Sequence, residues 1–178
     1  MQEISLNILD IVENSVKAGA SCVFITVDEQ PKSDLLTVSI SDNGSGMSEE
    51  QVKRVTDPFF TSRTTRKVGL GVPFFKMAAE LTGGKLQISS TLGVGTSLTA
   101  TFGYSHIDRM PLGDLISTIR TLIQCHPDTD FVYLHKKNDK EFIMDTRKFR
   151  TVLDDVALNE PEIMAFISEY LTDGESQF

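Results

Sequence analysis

The sequence predicts an α+β fold: a two-layer sandwich in which a mixed, largely antiparallel sheet carries helices on one face. Three observations point there. Four segments alternate apolar and polar residues at a period of two, as half-buried strands do. Two others carry apolar residues at helical spacing. Glycine, proline and aspartate clusters punctuate the chain between them.

Residues 4–18 read as the first helix. Ile4, Ile8, Leu9, Ile11, Val12 and Val16 fall on one side at about 100° per residue, and Asn7, Asp10, Glu13, Asn14 and Lys17 on the other. Gly19 suits the position just past its end. Residues 22–28 and 35–41 read as strands, with Pro31–Asp34 turning between them. In the second strand Leu36, Val38 and Ile40 alternate with Thr37, Ser39 and Ser41, so Asp42 has the parity of the core-facing set. Ser48 and Gln51 form a capping box for a short helix. Residues 55–71 read as irregular. A helix follows, with Pro73 in its first turn and Gly83-Gly84 at its end. Leu86 and Ile88, then Leu98, Ala100 and Phe102, mark two more strands.

The sequence divides into residues 1–104 and a small acidic α+β segment, 105–178. In the latter, 112–124 read as a helix and 131–145 as a hairpin turning near Lys137-Asn138-Asp139, with two more short helical segments after it. Thr172–Phe178 are expected to fray.

Composition narrows the function classes. Net charge is −8, of which residues 1–104 carry −2 and residues 105–178 carry −6; after Arg150 there is no basic residue. Such a chain is a poor general binder of nucleic acid or anionic membrane. No apolar run approaches the roughly 18 residues of a membrane span, so no membrane insertion is expected. No signal peptide is indicated. Cys22 and Cys125 have no metal-type spacing. Two isolated thiols suit a reducing, cytoplasmic location.

Three features bear on chemistry. Asp-Asn-Gly at 42–44 suits a tight turn, yet a helix cap follows where a returning strand would be. A core-facing carboxylate needs hydrogen-bond donors, and an exocyclic amine such as adenine N6 would supply one. Gly44 and Gly46 would let the backbone approach a ligand. On the first helix, Asp10, Asn14 and Lys17 line one stripe, read either as a solvated face or as an amide and carboxylate near a hydrated Mg²⁺ with a lysine near phosphates. Finally, "DPFFTSRTTRKVGLGVPFF" (57–75) is basic within an acidic chain, and its Gly69-Leu70-Gly71 precedes a helix N-terminus, where backbone N–H groups favour phosphate. Neither a P-loop nor a dinucleotide Gly-x-Gly-x-x-Gly pattern is present.

In order, "LDIVENSVKAGA", "DNGSGM", "DPFFTSR", "GLGV" and "GVGT" resemble the N box, first glycine box, F box, and second and third glycine boxes of the GHKL ATPase superfamily, which includes gyrase, the large heat-shock chaperone, histidine kinases and MutL proteins. The resemblance covers residues 4–103. It implies the Bergerat sandwich, with ATP or ADP and Mg²⁺ bound between sheet end and lid. By position, Asn14 would coordinate Mg²⁺ and Lys17 approach the phosphates. Asp42 would take the adenine amine, with Thr96 beside it. Gly44, Gly46 and Met47 would shape the base pocket. Residues 60–71 would be the lid, contributing Phe60, Thr61, Arg66, Lys67, Gly69, Leu70 and Gly71, with Val72 just beyond.

"VENSVKAGA" is close to the MutL version, but Lys17 departs from the acidic residue of that branch. "PFFTSR…GLGV…GGKLQISSTLGVGTSLTATF" looks like a histidine kinase, the favoured branch. Hydrolysing members carry a glutamate four residues before the Asn; here it is Asp10, a candidate base one methylene shorter. The sequence starts inside the first helix of the resembled domain, so the usual upstream dimerisation hairpin with its phosphoacceptor His is not expected. "SHIDRMPL" (105–112) looks like a degraded H box in reversed order, which makes His106 a candidate phosphoacceptor beside its ordinary reading as a linker residue. His126 and His135 are expected to be structural or exposed. The expected function is ATP-dependent phosphotransfer to an unidentified protein partner, or slow ATP hydrolysis, in signalling. The alternative is a nucleotide-gated, anti-sigma-like interaction module without significant turnover. A homodimer is compatible with the sequence.

Overall fold

The computed structural model describes residues 3–57 and 71–178. Six strands form one sheet: β1 (Cys22–Gln30), β2 (Leu35–Asp42), β3 (Lys85–Thr91), β4 (Gly95–Gly103), β5 (Asp130–Lys137) and β6 (Lys140–Asp145), ordered β3-β4-β2-β1-β5-β6. All neighbours are antiparallel except β1 and β5, which run parallel with Cys22 opposite Asp130. The helices are α1 (Ile4–Lys17), α2 (Glu49–Val55), α3 (Gly71–Leu81), α4 (Leu115–Cys125), α5 (Thr146–Leu153) and α6 (Pro161–Glu175). This is the mixed sheet and helical layer of the Bergerat fold expected above.

Alternation drives the packing. Leu36, Val38 and Ile40 of β2, and Leu98, Ala100 and Phe102 of β4, turn inward and are buried. Ile4, Ile8 and Val12 of α1 meet them from the helical layer, where α1 packs between α3 and α4, and α4 against α6. The capping box of α2 forms as read, Ser48 Oγ accepting from the Gln51 N–H while Gln51 accepts from the Ser48 N–H. Asn7 does not face solvent as its helical angle suggested. It is buried, and its Nδ2 donates to the Glu3 carbonyl at 3.0 Å, which satisfies it locally.

No break in packing falls at residue 104. The later segment adds β5 and β6 to the same sheet, and one apolar cluster runs through both parts. The first turn of α1, which has no side-chain cap, is closed from this segment: Ile4 N donates to the Pro111 carbonyl at 3.0 Å and Ser5 N to the Leu112 carbonyl at 2.8 Å. Arg109 donates to the Tyr104 and Met110 carbonyls and lies over the Tyr104 ring. Arg109, Pro111 and Leu112, which with Ser105 and His106 gave 105–112 its H-box look, therefore hold structure.

The tail is ordered, contrary to the expected fraying, and the reason is His135. This residue is buried, with Nδ1 2.8 Å from a Glu175 carboxylate oxygen and Nε2 2.9 Å from one of Glu29. A neutral imidazole has one N–H, so two carboxylate partners call for the imidazolium. Tyr133 donates to Glu175, Tyr104 donates to Glu29, and the Phe178 ring lies 4.2 Å from that of His135. Burial opposes the charge on His135, but the hydrogen bonds and charges of Glu175 and Glu29 outweigh it and raise its pKa to about 9. Burial alone would raise Glu29; hydrogen bonds from His135 and Tyr104, with Lys137 nearby, hold it below its ordinary value.

A histidine whose folded pKa is raised adds stability that is complete below its unfolded pKa and is lost as pH climbs through the folded one. The expected result is a melting temperature that falls between pH 7 and 10. His135→Gln should cost on the order of 3 kcal/mol at pH 7 and flatten that alkaline fall. A variant melting curve with the same alkaline slope as the parent would refute the assignment.

Candidate functional site

The site lies where β2 ends and its loop turns back under α1. Register places Asp42 of β2 opposite Thr96 of β4, and Thr96 opposite Ser90 of β3, so the three share one cross-strand row. The Asp42 carboxylate follows the inward parity read from the sequence and is half-buried. Its Oδ2 accepts from Ser15 Oγ at 2.6 Å, and its Oδ1 from the Gly44 N–H at 2.9 Å. Ser15 points inward from α1 among Ile8, Ile11 and Val12 and is buried. A hydroxyl on an otherwise largely apolar stripe was the sequence signal that could have pointed to it.

The loop after Asp42 is pinned at several points. Asn43 Oδ1 accepts from the Ser21 and Cys22 N–H groups. Ser45 N donates to the Ala18 carbonyl, and Met47 N donates to Ser90 Oγ at 2.8 Å. Two glycines are required by contact. Gly46 has a φ of +67°, and a Cβ there would sit 2.0 Å from the Thr91 carbonyl oxygen. Gly95 has a φ of +145°, and its Cβ would sit 1.9 Å from the Asp42 carbonyl oxygen. Between these strand ends lies a cleft of about 220 Å³ lined by Asp42, Ser90, Gly95 and Thr96 among others. That is base-sized, below the several hundred Å³ of a complete ligand pocket.

On α1, Asn14 is half-buried, and among the described residues its side chain has no hydrogen-bond partner; Asp10 and Lys17 are exposed. Asp10 abuts the start of α3, since a Cβ on Gly71 would lie 3.1 Å from the Asp10 Cβ. Gly71 and Val72 are buried in the first turn of that helix. The structure thus gathers Asp10, Asn14, Asp42, Gly44, Gly46, Met47, Gly71, Val72 and Thr96 around α1 and the end of β2. Phe60, Thr61, Arg66, Lys67, Gly69 and Leu70 lie outside the described residues. His106 is exposed and follows Gly103, the last residue of β4. Gly103 itself lies seven residues along that strand from Thr96, roughly 23 Å away. His126, at the end of α4, pairs with Glu13 of α1 at 2.7 Å.

A magnesium ion fits this donor set in one way. Among the described residues no group of three or more His, Cys, Asp or Glu could hold a metal. The Asn14 amide oxygen is a hard ligand, suited to a cation that keeps most of its coordination in water and phosphate oxygens. Among the described residues no helix is long and apolar enough to cross a membrane.

A sheet-end carboxylate beneath a helix bearing an Asn, opened by glycines, is the arrangement that the resemblance to the GHKL ATPases implies. Sequence comparison agrees: residues 3–106 match the family described as histidine kinase-, DNA gyrase B- and HSP90-like ATPase, and the chain belongs to that family. It is 30% identical over 123 residues to the non-motile and phage-resistance protein of Caulobacter vibrioides, covering 66% of this chain and 15% of that protein. It is 34% identical over 102 residues to sensor protein SrrB of Staphylococcus aureus, covering 54% of this chain and 17% of that protein. The chain therefore spans about a sixth of the length of these relatives. Among solved structures it is similar to the Aquifex aeolicus MutL ATPase domain complexed with ADP, with a TM-score of 0.54, 13% identity, and coverage of 97% of this chain and 70% of that one. The N-terminal domain of a DNA repair protein gives 0.58 and 12%, covering 82% and 53%. At these identities the structural likeness shows the fold.

The tight junction at Gly95 is testable against Gly93, which also has a positive φ but open space where a Cβ would go. Gly93→Ala should cost about 1 kcal/mol in backbone strain. Gly95→Ala should cost several times that, because Asp42 must be displaced. Equal losses in thermal unfolding would show that the Asp42–Gly95 contact is slack.

Proposed function

We propose that this protein binds MgATP and works as a histidine-kinase-like phosphotransferase toward a partner protein, with slow hydrolysis when no acceptor is present. The observation that carries the reading is the Asp42 carboxylate. Two donors of its own chain orient it, and it lines a base-sized cleft, where it would accept from an exocyclic amine. Family membership supports the nucleotide, and the sensor-protein relatives support a protein partner.

Asp42 takes the N6 amine of adenine, and Thr96 stands beside it at the base edge. Gly44, Gly46 and Met47 form the turn along which the purine lies. Asn14 would hold Mg²⁺, which supplies charge neutralisation at the phosphates, and Lys17 adds a cation nearby. Phe60, Thr61, Arg66, Lys67, Gly69, Leu70 and Gly71 belong to the lid over the triphosphate, with Val72 anchoring its end in α3. Asp10, beside Gly71, orients the attacking group. In phosphotransfer the nucleophile comes from the acceptor, so a short carboxylate there is sufficient.

A second reading, a nucleotide-gated interaction module, is favoured by one contact: Glu13, adjacent to Asn14, pairs with His126 of the acidic segment. Changes at the nucleotide would reach the face carried by residues 105–178 through that pair.

Asp42→Asn should weaken ATP binding by about 1–3 kcal/mol, the scale of a buried charge-assisted hydrogen bond, when titrated calorimetrically. Unchanged preference for ATP over GTP would refute the pocket. With γ-labelled ATP and cell extract, label transfer or phosphate release should exceed that of Asn14→Ala. Binding with no turnover in either assay would leave the gated module standing in place of the kinase.

A further inference from the structure

We propose that α5, α6 and the loop between them form a docking surface for a basic amphipathic helix of another protein, one that carries arginine or lysine beside apolar residues. This surface is separate from the Asp42 cleft, to which none of these elements contributes. Its centre is aromatic. Phe166 and Tyr170 stand one turn apart on α6, 54% and 38% exposed, with ring centroids 6.3 Å apart. Phe149 of α5 meets both nearly edge-on, at 5.8 and 5.4 Å, and Tyr170 donates its hydroxyl to the Ile143 carbonyl at 3.2 Å. Single exposed apolar side chains are ordinary on a protein surface. Rings fixed in advance are different, because they lose little freedom when a partner covers them, and that suits them to anchor an interface.

The rim is acidic. After Arg150 the chain has seven carboxylates and no Lys or Arg. Glu175 is committed to His135 and Tyr133. The carboxylates of Asp154, Asp155, Glu160, Glu162, Glu169 and Asp173 are exposed and have no partner among the described residues. Glu162, Phe166, Glu169, Tyr170 and Asp173 fall on one stripe of α6, so acids and rings alternate along roughly 16 Å of helix. In the first turn, Glu162 also lines a cleft of about 570 Å³ with Asp155, Glu160, Val156, Pro161 and Ile163. Three carboxylates among apolar side chains suit a long cationic side chain, whose stem packs while its head stays charged.

Charge decides the occupant. Arg147 pairs with Asp145, Arg150 with Asp130, and Lys140 donates to the Gln177 carbonyl, which leaves Lys148 of α5 as the uncommitted cation of the neighbouring elements. A second copy of this surface would bring the six acids against six more, and an anionic lipid surface would be repelled as well. Guanidinium groups instead match both features, meeting carboxylates through charge and ring faces through cation–π contact.

The probe is a synthetic peptide of about three helical turns made of Leu, Ala and Arg, with Leu on one stripe and Arg flanking it. Its controls are a scrambled isomer and a version with Glu for Arg. Binding to the full chain is read by fluorescence anisotropy. The amphipathic peptide should bind about tenfold more tightly than its scrambled isomer, weaken as salt rises, and lose to the Glu version, which should not bind. Phe166→Ala should lose about tenfold while keeping a cooperative melt, and Glu162→Lys combined with Glu169→Lys should lose as much. Glu49→Lys combined with Asp139→Lys, the same change of charge placed elsewhere, should leave binding near wild type. Equal affinity for the scrambled isomer, or equal losses for the two charge-reversed pairs, would reduce the effect to general electrostatics and overturn the proposal. Absence of binding to the amphipathic peptide would overturn it too. So would self-association in sedimentation, or binding to vesicles of phosphatidylserine and phosphatidylcholine, that Phe166→Ala abolishes, since the face would then belong to a second copy or to lipid.

Discussion

The 2.6 Å hydrogen bond from Ser15 to Asp42 is the constraint on which the site depends. It joins the inner face of α1 to the last residue of β2, and so fixes where the Asn14 flank of the helix stands relative to the sheet end. Ser15 could instead bond back to the Ile11 carbonyl, but at 3.5 Å that alternative is far longer. Donation to the carboxylate is charge-assisted and preferred. The Gly44 N–H takes the other oxygen, so the carboxylate plane is set before any ligand arrives. Preorganisation of this kind lowers the cost of binding, because orientation is not lost when a ligand docks.

Much of the first hundred residues was legible because its signals are local. The alternation of β2 placed Asp42 on the inner face, and the Ser48/Gln51 pair announced its capping box. What escaped were interactions between residues far apart in sequence. Asn7 and Ser15 are polar residues on or near an apolar stripe, and only the packed neighbours reveal their partners. His135 looked unremarkable because its two carboxylates come from positions 29 and 175. Nothing near Cys22 signals that β1 has a parallel neighbour at Asp130. The lid assignments rest on motif order alone.

The segment after residue 104 is part of the architecture that holds α1. Its carbonyls at Pro111 and Leu112 close the first turn of that helix, and its α4 lies along one flank while α3 occupies the other. Glu13 and His126 add an ionisable contact one residue from Asn14. A helix gripped on both sides changes position only if its neighbours move with it, so the acidic segment and the Asp42 cleft share a mechanical element. The far edge of the sheet is also finished by this segment: Tyr170 donates to the Ile143 carbonyl and Gln177 to that of Glu141, which occupies acceptors an edge strand would otherwise leave open.

The parallel pairing of β1 with β5 carries a consequence for biosynthesis. As the chain leaves the ribosome, β2 can pair with β1 at once, but the other side of β1 stays bare until residues 130–137 have emerged. Pairing across such a separation is slow, and an unpaired edge is exposed to association throughout. Completion of the sheet behind the Asp42 cleft therefore waits on residues 130–137 rather than on the synthesis of the residues that line the cleft.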